Sequence, residues 1–317
     1  MNDRTVPTAG EVLAGCLQEQ AADFLRALRQ HRSSGADAGE ASDAARRLGC
    51  AGERISRTLH VHRDLTDAEW ADQLAAELCR LSGILAGEHA YADRLDRLRG
   101  ALGRLSGPEP AGLMALGAAR AGALLERRLT LARTRAHSDC LRALGSSRFH
   151  AVADAVAVMA SEVPPARGGV DGPADAVLRG CAERLDRRLD EAVRALPAAG
   201  ATALRDVQAT GEAEDAGWHR VRQLLQLRWS AQDVLGRVAP AAARSSDGRL
   251  SGALQALDRH RDAAEAAADA AAAARTARIA PATAYALGVL HADQRHDVEA
   301  ARRTFGRMWQ RAGVPAS

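Results

Sequence analysis

Residues 218–229, WHRVRQLLQLRW, decide how the chain is interpreted, because they combine a helical pattern with a distinctive set of polar side chains. At 3.6 residues per turn, His219, Arg222 and Gln226 share one face of a helix. That face offers many hydrogen-bond donors to an anion. An earlier stretch, residues 43–57, has a related spacing with different residues. Two such helices, one in each part of an all-helical chain, predict an anion-binding protein.

The composition predicts a core of closely packed helices. The 317 residues suffice for one large or two modest domains. Apolar residues make up 47% of the chain, but aromatic residues make up only 3%. Since much of the apolar content is alanine, helices are expected to approach closely through Ala, Leu and Val.

Every basic side chain is an arginine: there are 43, and no lysine. Codon usage in a GC-rich genome is a sufficient cause of this bias. The physical consequence holds regardless, because each basic group is a planar fork suited to carboxylate or phosphate. The net charge is only +3, so any anion site must arise from local clustering.

The cysteine content and the hydropathy predict the cellular compartment of the protein. Five scattered cysteines with no CxxC spacing argue against a disulfide framework and a zinc site, and favour a reducing cytoplasm. Residues 1–10 lack a secretory pattern, and no apolar run has the length of a membrane span. We therefore expect a soluble, cytoplasmic protein with no membrane partner. The cysteines are Cys16, Cys50, Cys79, Cys140 and Cys181.

Helical periodicity continues along the chain, and strand signals are absent. Helices are predicted at 11–32, 40–62, 66–85, 89–105, a long segment ending near 144, 148–162, 174–196, 212–238, 250–278 and 297–312, with turns at 145–147 and 245–248 and a further helix start at Pro281. The third helix opens with Thr66 and Glu69, at the spacing of a capping box.

Residues 163–173, VPPARGGVDGP, form the clearest boundary, because two adjacent prolines and several glycines cannot continue a helix. The predicted organisation is a flexible N-terminus at 1–10, a first helical half-bundle at 11–163, a linker at 164–173 and a second half-bundle at 174–313.

Several segments together resemble a known family. They are the HRVR of 219–222 followed by LRW at 227–229, the LQALDRHRDA of 254–263 with a counterpart at 78–85, ALGSSRF at 143–149, and Phe305 with Trp309. In this order the chain resembles the CHAD domain, the conserved histidine α-helical domain, from about residue 11 to 312. The resemblance implies two related half-bundles with a pseudo-two-fold internal repeat. It also implies a groove of basic side chains that binds inorganic polyphosphate.

The chain departs from the family pattern within both signature helices. Asp43 stands where the first half has its histidine, and Cys50 stands where it has a groove arginine. Gln223 and Gln226 stand where the second half usually has Lys or Arg. These replacements predict a diverged member with a weaker anion site.

The predicted polyanion-binding residues lie on the two signature helices. Asp43, Arg46, Cys50, Arg54 and Arg57 recur at offsets of three and four and so form one helical stripe. The same pattern also fits arginines that pair with nearby acids or face water. The full predicted set is Arg46, Arg54, Arg57, His219, Arg220, Arg222 and Arg228.

Three further side chains outside the predicted site are expected to have structural roles. Trp229 is expected in the core. Arg187 and Arg188 are expected to be neutralised by Asp186 and Asp190, which alternate with them along one segment.

No pattern predicts catalysis or metal binding. His60 and His62 are two apart, which places them on different helix faces, and His291 and His296 are five apart, which is also unsuitable for one metal ion. We find no nucleophile motif, phosphate-binding loop or clustered carboxylates. No cofactor, metal or enzymatic activity is therefore expected.

Two functions remain open. The first is non-catalytic binding of inorganic polyphosphate or a similar polyanion in an Arg/His-lined groove, with nucleic acid a less suitable partner. The alternative is a helical interaction scaffold whose anion site has decayed and which binds a protein partner. The replacements at Asp43, Cys50, Gln223 and Gln226 favour the alternative.

Overall fold

The computed structural model describes residues 7–34, 38–106, 113–166, 172–197 and 210–310. Within these ranges the chain forms nine α-helices and one short 3-10 helix, Arg63–Leu65, and no strand beyond an isolated bridge between Thr66 and Pro165. The all-α prediction is confirmed. The helices are α1 Ala9–Ser33, α2 Ala38–Val61, α3 Ala68–Ser106, α4 Leu113–Leu144, α5 Ser147–Met159, α6 Ala174–Arg194, α7 Thr210–Leu235, α8 Pro240–Ala274 and α9 Pro281–Gln310.

The helices form two compact units. Unit 1 comprises Met1–Gly87, Ser138–Arg194 and Gln223–Gly248, and unit 2 comprises Glu88–His137, Ala195–Arg222 and Arg249–Ser317. Each unit therefore takes segments from both sides of the predicted linker. Half-bundles at 11–163 and 174–313, and an internal repeat, stay predictions. Of the predicted terminus and linker, residues 1–6 and 167–171 lie outside the described part of the chain.

The core of unit 1 explains why α2 has two distinct faces. Leu48, Ile55 and Leu59 are completely buried and pack with Phe24 of α1 and Leu78 of α3. Each such burial contributes roughly 1.5–3 kcal/mol relative to exposure. Because this apolar stripe fixes the rotation of α2 about its axis, the arginine stripe is turned towards the protein surface.

The core of unit 2 is rich in alanine. Ala266, Ala270 and Ala273 of α8 are fully buried in one cluster with Leu98 of α3 and Leu287 of α9. Small side chains at this spacing allow neighbouring helix backbones to approach closely. The prediction that the chain packs its helices through alanine and leucine is confirmed in this unit.

We expect Gly117→Ala to destabilise the protein by about 1–3 kcal/mol, because a β-carbon there overpacks a close helix contact. That β-carbon would clash with the backbone oxygen of Ala282. Gly122→Ala, on the same helix, is the matched control. Its β-carbon would meet Leu102 at an ordinary 3.7 Å. The control should be neutral or stabilising by up to about 1 kcal/mol. Urea unfolding of both variants measures the difference, and equal free energies of unfolding would contradict the contact.

Several predicted breaks do not occur. The helices predicted at 66–85 and 89–105 are one continuous helix, α3. Gly83 and Gly87 lie inside it, and a helical glycine costs only about 1 kcal/mol. The turn predicted at 245–248 is helical within α8, and the helix predicted at 297–312 belongs to α9. In α3, packing through buried residues such as Leu81 and Leu85 outweighs these weak local breakers. Residues 107–112 and 198–209, which follow the helices predicted at 89–105 and 174–196, lie outside the described residues.

The capping box predicted at Thr66 is also wrong. Asp67 caps α3 instead, since its Oδ1 accepts hydrogen bonds from the amides of Glu69 and Trp70, both at 3.1 Å. Thr66 donates its hydroxyl to the carbonyl of Arg63 and is therefore committed to the preceding turn. Aspartate and threonine are both good cap residues, so the local sequence did not distinguish them.

His62 makes the stability of unit 1 sensitive to acid. Burial lowers the pKa of His62 to about 4, although its hydrogen bond to the carbonyl of Thr58 opposes the shift. The unfolded chain therefore binds this proton more readily than the folded chain below about pH 6.5. Acidification from pH 7 to pH 5 should therefore lower the free energy of unfolding of the parent protein by about 2 kcal/mol more than that of the His62→Leu variant. Urea unfolding at both pH values measures this, and equal losses would contradict the assignment.

Candidate functional site

A shallow depression in unit 1 brings together side chains from α1 and α2. It has a volume of about 780 Å³. All five residues of the predicted α2 stripe line it, so the offsets of three and four identified neighbours correctly. The lining residues are Asp23, Arg26, Ala27, Gln30, Asp43, Arg46, Arg47, Cys50, Ala51, Arg54 and Arg57, and we call this surface the arginine depression.

The arginine depression is strongly cationic for its size. Five arginines and two aspartates give it a formal net charge of +3, which equals the net charge of the whole protein. The local clustering that the sequence required for an anion site is therefore present. Sequence reasoning missed Arg26 and Arg47, because Arg26 comes from α1 and Arg47 is adjacent to the stripe rather than on it.

Some of this charge is already balanced within unit 1. Asp23 accepts hydrogen bonds from Arg26 at 2.7 Å and from Arg54 at 2.5 Å. Burial acts to raise the pKa of Asp23, but these two bonds lower it overall. Arg57 also has an acidic neighbour, since its Nη2 lies 3.7 Å from Oε2 of Glu53.

Two arginines of the depression remain without an acidic partner. Within the described residues, neither Arg46 nor Arg47 forms an ion pair, and both are exposed. Their guanidinium groups keep all their donors available for an incoming anion. Arg54, with 45% of its side chain exposed, can also exchange its surface ion pair at little cost.

The second predicted group lies in unit 2. His219 is half-buried, and its ring centre is 5.8 Å from that of His260. Burial, followed by the nearby His260, lowers the pKa of His219. Arg222 donates through Nε to Asp258 at 2.7 Å, whereas Arg220 is exposed and forms no ion pair among the residues described.

His219 borders a buried ionic cluster that the sequence did not reveal. The carboxylate of Asp215 accepts hydrogen bonds from Arg302 at 2.7 Å and Arg295 at 2.8 Å, and His260 Nε2 lies 3.3 Å away. These groups come from α7, α8 and α9, so no local spacing links them. Burial acts to raise the pKa of Asp215, but its partners lower it overall. These contacts therefore fix α7, the helix that carries His219, against α8 and α9.

Arg228 is the predicted site residue with the least freedom. It is buried in unit 1, where Nε donates to Asp186 at 2.8 Å and Nη1 donates to Gln232 at 2.6 Å. Asp186 therefore neutralises Arg228, and the expectation that Asp186 neutralises Arg187 and Arg188 is wrong. The same role for Asp190 stays a prediction. Both of these arginines are exposed.

Trp229 was expected in the core, and that prediction is wrong. The side chain is 39% exposed. The neighbouring residues Ala231, Val234 and Leu235 fill the core of unit 1 instead. The helical rotation of α7 that buries these three residues turns Trp229 outwards.

No group of three or more His, Cys, Asp or Glu side chains suited to a metal ion occurs in the described ranges. Across the same ranges, no helix combines the length and apolar character needed to cross a membrane.

Comparison with known proteins identifies the family. The sequence profile of the CHAD domain matches residues 19–302, which is most of the chain. The chain belongs to the CHAD domain family. PptA from Streptomyces chartreusis has a similar solved structure, with 52% sequence identity and a TM-score of 0.82 over 96% of this chain and 99% of that chain. No match was found among curated proteins.

The two departures from the family pattern that were predicted in the first half lie on one surface of this CHAD domain. Asp43, predicted to replace the histidine of the first-half motif, lines the arginine depression, as does Cys50. An acid and a thiol therefore lie among the arginines of this surface. Arg26 and Arg47 line the same surface and add positive charge to it.

Proposed function

We propose that this CHAD domain binds inorganic polyphosphate, with the arginine depression as its main contact surface. The observation that carries the proposal is the convergence of five arginines on one open depression, two of them without an ion pair in the described structure. Membership of a family known for polyphosphate binding supports this choice of anion. A structural resemblance to PptA over nearly the whole chain is consistent with it.

The geometry suits a linear anion better than a compact one. Arg46 and Arg57 lie eleven residues apart on α2, a distance of roughly 16 Å along the helix axis. Successive guanidinium forks along this line can donate to successive phosphoryl groups. A single phosphate would reach only part of the stripe.

Release of counter-ions drives such binding. Polyphosphate carries a dense line of negative charge, and each arginine that neutralises part of it releases bound cations. Asp43 and Asp23 oppose the anion within the same depression. We therefore expect moderate affinity at low salt and a steep loss of affinity as salt increases.

The proposed role is non-catalytic and requires no cofactor. His219, Arg220 and Arg222 form a second group of donors on α7, to which we assign a secondary contribution. We also infer a reducing compartment such as the cytoplasm, because Cys16, Cys50, Cys79, Cys140 and Cys181 are all free thiols.

Titration with polyphosphate of defined length tests the proposal. The logarithm of the association constant should fall linearly with the logarithm of salt concentration, with a slope of about −2 to −4 for three to five contacts. Single-stranded DNA of matched charge serves as the competitor and should displace polyphosphate poorly. Binding that is absent at low salt, or equal displacement by DNA, would contradict the proposal.

A further inference from the structure

Helix α4 carries an exposed apolar surface in addition to its core contacts. Three of the seven large hydrophobic side chains exposed in the described structure belong to it: Leu116 at 47%, Leu131 at 51% and Leu141 at 54%. Scattered single exposures are normal on a protein surface. On α4 the exposed leucines recur beside unpaired arginines, and this combination is what calls for a partner.

Two of these leucines, Leu116 and Leu131, share their face with arginines. At about 100° per residue, Leu116, Arg120, Arg127 and Leu131 fall within about 60° of one another around the helix. The buried residues Ala118, Ala121, Leu125 and Leu129 mark the opposite side. Arg135 extends the exposed side by one turn. We call the exposed set, Leu116, Arg120, Arg127, Leu131 and Arg135, the α4 outer stripe.

The arginines of the α4 outer stripe are not neutralised. None of Arg120, Arg127 and Arg135 forms an ion pair within the described ranges. The nearby acid Glu126 pairs with Arg99. The stripe therefore presents unpaired positive charge and apolar surface together over about 29 Å of helix, at 1.5 Å per residue.

We propose that the α4 outer stripe docks an acidic amphipathic α-helix of a partner protein. Such a helix presents leucine-like side chains and carboxylates at helical offsets that include four and seven, which are the offsets between successive members of this stripe. Its carboxylates satisfy the arginine forks, and its apolar side chains cover Leu116 and Leu131.

Other occupants satisfy only part of the surface. Polyphosphate has no apolar groups, so it would leave both leucines in water. A helix that lies on a bilayer needs a broad apolar face, whereas the stripe has only two leucines. The main apolar face of α4 is buried in the core of unit 2. The inference is independent of polyphosphate binding at the arginine depression.

The test uses a fluorescent 21-residue peptide with leucine and glutamate at amphipathic helical spacing, and a scrambled peptide of the same composition. The full-length protein should bind the first peptide at least about tenfold more tightly than the second. Arg120→Glu/Arg127→Glu should weaken peptide binding about tenfold, because each reversal replaces attraction by repulsion. Leu116→Ser/Leu131→Ser should weaken it to a similar extent.

The matched control is Arg187→Glu/Arg188→Glu, which reverses two exposed arginines on α6 and should leave peptide binding unchanged. Polyphosphate affinity should fall no further in the α4 charge variant than in this control, which separates the stripe from the depression. Equal binding of both peptides, or undiminished binding by either α4 variant, would overturn the proposal. So would vesicles of phosphatidylserine and phosphatidylcholine binding to the parent and displacing the peptide, because the stripe would then bind membranes.

Discussion

Replacing Arg46, Arg54 and Arg57 together with alanine should weaken polyphosphate binding about 100-fold at low salt. Each exposed charge-assisted contact is taken as about 1 kcal/mol, and three contacts together correspond to roughly this factor. The slope of log affinity against log salt should also become shallower by about 2, since three fewer arginines release counter-ions. Calorimetric titration of parent and variant at several salt concentrations measures both quantities.

A control with equal loss of charge separates a specific surface from diffuse attraction. Arg187, Arg188 and Arg194 are exposed on α6, outside the arginine depression, and replacing all three with alanine removes the same formal charge. This variant should lose less than about fivefold in affinity. Equal losses in the two triple variants would mean that polyphosphate is held by the general field of the protein, and the depression would have no special role.

Replacing Asp215 with alanine should destabilise the protein by about 3–5 kcal/mol. Asp215 is the common acceptor for Arg302, whose side chain is only 4% exposed, and for Arg295, while the nearby His260 is almost fully buried. Its removal takes the shared carboxylate away from both arginines, one of them almost fully buried, and breaking such a buried pair is among the most costly changes in a protein interior. Arg302 retains its ion pair with Glu299 at 2.6 Å. Urea unfolding followed by circular dichroism gives the free energy of unfolding.

Asp72→Ala is the matched control for this prediction. Asp72 pairs with Arg63 on the surface of unit 1, where both side chains are about half exposed. Loss of that pair should cost no more than about 1 kcal/mol. If the two aspartate variants unfold at the same urea concentration, the Asp215 cluster contributes nothing beyond an ordinary surface pair.

The sequence predicts those features that depend on local spacing. The offsets of Arg46, Cys50 and Arg54 are a property of one helix, so the shared surface follows from 3.6 residues per turn. Helix starts were predicted well at Pro281 and after the turn before α5, whereas the start of α8 at Pro240 lies ten residues before the predicted one. They failed at Gly83, because a weak breaker inside a long packed helix is tolerated.

The pairing of charges depends on packing between distant segments and was not predictable. Asp23 reaches Arg54 across 31 positions, and Asp215 reaches Arg302 across 87. In a chain with this many arginines and acids, one sequence offers no means of choosing among possible partners. Asp186 shows the consequence, since its adjacent arginine Arg187 faces water while the distant Arg228 takes the carboxylate.

A crystal structure of the protein grown with short polyphosphate of defined length tests the central claim most directly. The proposal predicts phosphoryl density along the arginine depression, within hydrogen-bond distance of the guanidinium groups of Arg46 and Arg54. Density held elsewhere on the protein, with the depression empty in crystals saturated with polyphosphate, would contradict it.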